Sequence, residues 1–246
     1  MNINLMTTDH QLTNNMKKLI LALLLFTFSA LSSWAGDYQK GWNAYESGDY
    51  TTAIKEFTES AEQGDASAQF MLGTVYYNGQ GVPQDYKQAV KWYTKAAERG
   101  DAYARYNLGV MYTIGQGVPQ DYKQASWWFT MAAERGHANA QFILGDIFYK
   151  GKGVSQDYKQ AVKWYTKAAE QGDTGSQVNL GFRYYKGQGV PQDNVYAHMW
   201  WNIAAANGAE SAPKIRDAVA ESMTTADISK AQSLARECVK KDYKGC

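Results

Sequence analysis

The sequence predicts an all-α fold, an α-solenoid of antiparallel helix pairs with distinct caps at both ends. Three observations predict it. A set of residues recurs at a period of 36 over four copies without slippage, each copy carries two apolar stripes at helical spacing, and loops rich in glycine separate those stripes. Leu72-Gly73 returns as Leu108-Gly109, Leu144-Gly145 and Leu180-Gly181. Gly79, Gly115, Gly151 and Gly187 keep the same spacing, as do Trp92, Trp128, Trp164 and Trp200.

The chain starts outside this pattern. Met16-Lys17-Lys18 is a positive start, Leu19 to Ala30 is apolar, and Ser33-Trp34-Ala35 puts small residues at a cleavage site. Residues 1–35 therefore read as a secretory signal peptide, with Met16 a candidate start, and the mature chain is expected without stable membrane insertion. An uncleaved N-terminal anchor is the alternative. Removing residues 1–35 removes Lys17, Lys18 and Asp9 and leaves the remainder formally neutral. No charge excess then points to nucleic acid or to an anionic surface. Export, with the periplasm as the expected compartment and the extracellular space as the alternative, permits a disulfide. Cys238 and Cys246 are expected to pair, the alternative being two free thiols.

Residues 36–63 form a shorter unit, in which Tyr50, Ala53, Ile54, Phe57 and Ala61 match Tyr86, Ala89, Val90, Tyr93 and Ala97. The four full repeats span 64–99, 100–135, 136–171 and 172–207. In the first, Ala68, Leu72 and Tyr76 share one stripe of a helix over 66–78, with Gly73 beside them to admit a close neighbour. Gly79-Gln80-Gly81-Val82-Pro83-Gln84 breaks that helix. A second helix starts at Asp85, and Asp85 with Gln88, Asp121 with Gln124 and Asp157 with Gln160 have the spacing of capping boxes. The fourth copy departs, with Tyr196 three residues after Asp193. No isolated pair can bury both stripes, so neighbours are expected to stack. Residues 208–246 change character, and Thr224, Ile228, Ala231, Leu234, Ala235 and Cys238 predict an amphipathic helix that caps the open end.

From Ala68 to Ala97 the repeat reads A-x-x-x-L-G-x-x-Y-x-x-G-x-G-V-P-Q-D-Y-x-x-A-x-x-W-Y-x-x-A-A. It resembles the Sel-like repeat (SLR) family, a relative of the tetratricopeptide repeat, over roughly residues 37–207. The tail from Ala231 to Glu237 looks like the closing helix of exported members. The third copy departs with Ser155 in place of proline, and the fourth carries His198 and Trp201. The resemblance implies a superhelical scaffold that binds protein or peptide. A cysteine-rich branch of the family is linked to β-lactam binding and hydrolysis, but it carries a cysteine pair in each repeat. The repeats of this chain carry none, so that activity is not transferred.

If the first helices line the concave face, the outward positions follow from the repeat. The candidate partner-binding residues on that register are Tyr103, Tyr106, Val110 and Ile114 in the second copy, Phe142, Asp146 and Lys150 in the third, and Phe182 and Lys186 in the fourth, with Arg183 added for the positive charge it brings beside Lys150 and Lys186. Tyr106 and Phe142 recur as rings and read as mainly structural. Thr74, Val110, Asp146 and Phe182 vary where packing does not dictate the residue. The surface is apolar toward the second copy and basic toward the fourth, which suits a peptide with an apolar anchor and a carboxylate. A cell-wall glycan is the alternative ligand, since sugars also stack on rings.

Catalysis is not expected. Gly79-x-Gly81 recurs in every copy after a helix and is a turn rather than a nucleotide fingerprint. Ser211-Ala212-Pro213-Lys214 has the spacing of a serine acylase motif without that motif's partners. His137 and His198 fall at a cap position and at the Val90 position, so neither a metal site nor a triad is expected, and no cofactor is implied.

Overall fold

The computed structural model describes residues 38–246, so the expected signal peptide lies outside the described residues. Within them all regular structure is α-helical. The helices are α1 (38–46), α2 (Tyr50–Glu62), α3 (Ala66–Asn78), α4 (Tyr86–Glu98), α5 (Ala102–Ile114), α6 (Tyr122–Ala133), α7 (Ala138–Lys150), α8 (Tyr158–Ala169), α9 (Thr174–Lys186), α10 (Asn194–Ala206), α11 (Ala212–Ala220) and α12 (Thr225–Lys240). The chain forms two compact units, one ending at Asp85 and one running from Tyr86 to Cys246. In the second unit each helix from α4 to α10 packs on the next, which is the sequential pairing of an α-solenoid.

Each first helix starts on a side-chain cap. Asp65, Asp101 and Asp173 accept the backbone N–H of Ala68, Ala104 and Ser176 at 2.7, 2.6 and 2.6 Å, satisfying a donor that the helix leaves free. His137 does the same through Nδ1, accepting Ala140 N–H at 3.2 Å. Gly79, Gly115, Gly151 and Gly187 end these helices at φ between 64° and 74°, a left-handed conformation that a side chain would strain.

The loop is closed by its glutamine. Gln120, Gln156 and Gln192 donate from Nε2 to the carbonyls of Thr113, Tyr149 and Tyr185 at 2.7, 2.7 and 3.0 Å. The aspartate that follows caps the second helix. Asp121, Asp157 and Asp193 accept N–H groups of Gln124, Gln160 and Tyr196 at 3.1, 3.0 and 3.1 Å. The bond goes to the backbone, so Tyr196 serves as well as glutamine and the fourth copy keeps its cap. The reciprocal half of the expected capping box is not what holds these ends.

The Leu-Gly glycine has a specific partner. A Cβ at Gly109 would lie 2.7 Å from the Phe129 ring, and one at Gly145 would lie 2.6 Å from the Tyr165 ring. At Gly181 it would overlap the Trp201 indole. In each case the ring belongs to the second helix of the same repeat, so the missing side chain lets an aromatic ring seat on the first helix. A buried polar clamp joins consecutive helices: Gln69, Gln141 and Gln177 donate from Nε2 to the carbonyls of Ala61, Ala133 and Ala169 at 3.0, 3.0 and 3.4 Å.

The C-terminal cap forms as α11 and α12 on α10. Pro213 sits in the first turn of α11, where its missing N–H costs nothing. Ala235 and Cys238 of α12 pack with Met199, Trp200 and Ile203 of α10. Cys238 and Cys246 are disulfide-bonded with their Cα atoms 5.5 Å apart. The closed tail is tied back by Tyr243, whose hydroxyl donates to Asn207 Oδ1 at 3.0 Å, and by Gly245 N–H on Glu170 Oε1 at 3.1 Å.

Candidate partner-binding site

All the candidate residues fall in the second unit. Val110, Asp146 and Lys150 converge on a pocket of about 330 Å³ between α5, α6 and α7. Buried Ala125, Phe129 and Ile147 form its floor, with Thr113 and Ile143 on the walls. Tyr122, Lys150 and Lys152 stand exposed at the mouth. A lining of this kind, apolar below and charged above, takes one apolar side chain and fixes what flanks it.

The remaining candidates divide by burial. Tyr103 and Ile114, at opposite ends of α5, are 63% and 51% exposed. Tyr106 is half-buried and stacks on His137, ring centroids 4.6 Å apart and planes within 12°, while Tyr103 meets the same imidazole edge-on at 4.9 Å. Phe142 is half-buried, with its ring centroid 6.2 Å from that of Tyr165. Phe182 lies edge-on to Trp201 at 5.3 Å. Lys186 is exposed at the end of α9.

Arg183 departs from the expected basic surface, because the side chain is only 3% exposed. It aligns with Val75, Met111 and Ile147, each a core residue of its own repeat, and the helix register turns it inward with them. Its guanidinium carbon lies 3.9 Å from the centroid of the Tyr149 ring.

Charge on this face is locally organised. Tyr165 donates its hydroxyl to Asp146 Oδ1 at 2.6 Å, and Lys150 forms an ion pair with the other oxygen. Burial, and then the bond to Asp146, push the Tyr165 phenol far above its usual range. The Arg183 guanidinium, through hydrogen bonding and then through charge, holds the Tyr149 phenol below it, with smaller help from Lys186 and Lys150. Burial lowers the His137 imidazole. A neutral ring suits its position, since Nδ1 must remain an acceptor to cap α7.

Ile143, Ile147, Tyr122 and Lys152 belong to the pocket but were not expected there. Their contribution comes from three elements meeting across a repeat boundary, which a register on one helix does not reveal. The available signal was size at one core position: Ile147 is shorter than the Arg183 that follows 36 residues later. Lys152, in place of the glutamines at 80, 116 and 188, was a second signal.

A family model described as the Sel1 repeat matches residues 66–101, 102–137, 138–173 and 175–208, more than half of the sequence. The chain belongs to the Sel1 repeat family. Its structure is similar to that of a protective antigen present in uropathogenic Escherichia coli strains and displaying an SLR fold, at TM-score 0.73 and 37% identity. That match covers 85% of this chain and 46% of the antigen, so the chain spans just under half the antigen's length. A Sel1 repeat protein from Oxalobacter formigenes matches at TM-score 0.68 and 30% identity, over 84% of this chain and 77% of that one. A comparison with curated proteins finds no match. Sel1 repeat proteins generally mediate protein–protein interaction. In this member the Leu-Gly glycines, loop glutamines and aspartate caps fix the repeat, while the residues around the α5–α7 pocket differ from copy to copy. Among the described residues no helix is long and apolar enough to cross a membrane, and no three His, Cys, Asp or Glu side chains group as metal ligands.

Proposed function

We propose that this protein is a non-catalytic scaffold of the bacterial envelope that binds a protein or peptide on the face formed by α5, α7 and α9. The pocket between α5, α6 and α7 is the observation that carries this reading. It is preformed, has an apolar floor, and brings together Val110, Asp146 and Lys150 from different repeats. Burying one apolar side chain there contributes about 1.5–3 kcal/mol, enough to anchor an extended segment. Tyr103 and Ile114 extend the apolar surface along α5, and Lys186 adds positive charge at α9. The envelope assignment is supported by the N-terminal sequence pattern and by the Cys238–Cys246 bond.

Affinity capture from envelope extract tests the reading, with the wild-type protein and a Val110→Trp variant as paired baits. A partner retained by the first and lost by the second supports it. A partner held equally by both, or none held by either, refutes it. Exposed rings, Tyr103 on this face and Trp127 (52% exposed) on α6, favour cell-wall glycan as the second reading. Co-sedimentation with purified cell wall separates the two, because only the glycan reading predicts pelleting without another protein.

A further inference from the structure

Arg183 occupies a position that the other repeats give to an apolar core residue, and it is buried like them. A guanidinium buried there loses water around its donors, which is strongly unfavourable for any donor left unpaired. This same chain shows how it satisfies such a group internally. Arg105, 7% exposed, donates from Nε to Ala97 O at 3.0 Å and from Nη1 to Met131 O at 3.2 Å. In Arg183 the corresponding Nε and Nη1 atoms are equally withdrawn from solvent and have no hydrogen-bond partner.

Among the described residues no carboxylate accepts a hydrogen bond from Arg183 Nε or Nη1. Asp146, the carboxylate of the adjoining repeat, is already held by Lys150 and Tyr165. The Tyr149 ring covers the guanidinium and its hydroxyl is a hydrogen-bond partner of the same group, but Nε and Nη1 remain without a partner. Lys150 and Lys186 add positive charge around the same phenol. The cluster therefore holds three cations and one engaged carboxylate.

We propose that Arg183 is the receptor for a carboxylate of the bound peptide, reached when the half-buried Tyr149 ring turns aside. This rests on the peptide-binding reading above and names the chemistry of the ligand. A carboxylate is the complementary partner because its two oxygens accept charge-assisted bonds from the planar guanidinium in fixed directions. Lys150 and Lys186 attract it toward the mouth of the site. The α5–α7 pocket takes the apolar residue of the same ligand, and the carboxylate binds one repeat farther along the chain.

The test is a titration of the purified protein with propionate, read from the backbone amide NMR shifts of Tyr149 and Phe182. Propionamide, of the same shape without charge, is the control, and Arg183→Ile is the variant because Ile147 shows that the repeat accepts isoleucine there. The expected result is a saturable shift with propionate, at least tenfold weaker with propionamide and absent in the variant. The variant should also unfold at the same or a higher denaturant concentration, having lost an unpaired buried cation. An unsaturable response, an equal response to propionamide, or a response surviving in the variant overturns the proposal. A markedly lower unfolding midpoint for the variant overturns it too, since the fold itself would then be satisfying Arg183. If propionate fails while Val110→Trp still abolishes partner capture, the carboxylate receptor falls and the peptide reading stands.

Discussion

Gly145→Ala adds a single methyl group to α7, and the structure sets what it meets. The new Cβ would lie 2.6, 2.7 and 3.0 Å from Cδ1, Cε1 and Cγ of Tyr165. The ring would have to retreat by nearly 1 Å to restore ordinary contact. It has little freedom to do so, being fully buried and pinned at its hydroxyl by Asp146. Overpacking a well-filled core costs about 1–3 kcal/mol, and the pinned ring argues for the upper end. Replacing a helical glycine by alanine returns about 1 kcal/mol, so the net expectation is a loss of about 2 kcal/mol. Urea unfolding followed by circular dichroism measures it, with Asn139→Ala on the exposed side of α7 as a control expected within about 0.5 kcal/mol of wild type. Adding Tyr165→Leu should recover part of the loss, giving a non-additive pair. A Gly145→Ala protein as stable as wild type, or more stable, would refute the reasoning, since helix propensity would then outweigh the supposed clash.

Acid should weaken the fold through its two described histidines. Burial lowers the pKa of His137 and of His198, in the latter case with help from Arg216, so the unfolded chain binds more protons than the folded one. Their contribution is present above the ordinary imidazole pKa of about 6.5 and is lost as the pH falls below it. Urea midpoints measured across that range should show a shallower slope in His198→Val, and an unchanged slope would contradict the assignment. Serine at both Cys238 and Cys246 opens an eight-residue separation and should cost about 2.5 kcal/mol by loop-closure arithmetic, read from the unfolding of oxidised wild type against the variant. Asp193→Ala should cost about 1 kcal/mol, whereas Tyr196→Gln, which restores the capping-box spacing, should leave the α10 cap unchanged by the same assay.

The helices were legible because their signals are local and repeated. Ala66–Asn78 was readable to the residue from its apolar stripe and the glycine that follows it. The role of Gly109, Gly145 and Gly181 was only half legible: a missing side chain signals close approach, but not that a ring twenty residues later fills the space. The part played by Gln120 and its equivalents was not legible, because their bonds to the preceding helix depend on the path of the turn. Val110 and Asp146 of the outward series line the pocket between α5, α6 and α7, since helix register decides which way those side chains face. Arg183 was misplaced because its charge was weighed above its register. The depth of the pocket rests on Ile147, Phe129 and Lys152 meeting across a repeat boundary, and no single stretch of sequence encodes that meeting.

The central claim is that binding energy comes from an apolar side chain seated between α5 and α7. The most direct measurement is calorimetric titration of the captured partner against wild type and Val110→Trp, after circular dichroism has shown both folded alike. Closing the pocket should remove about 1.5–3 kcal/mol and weaken the affinity tenfold or more. An affinity unchanged by the tryptophan would contradict the account and move the binding surface elsewhere on the protein.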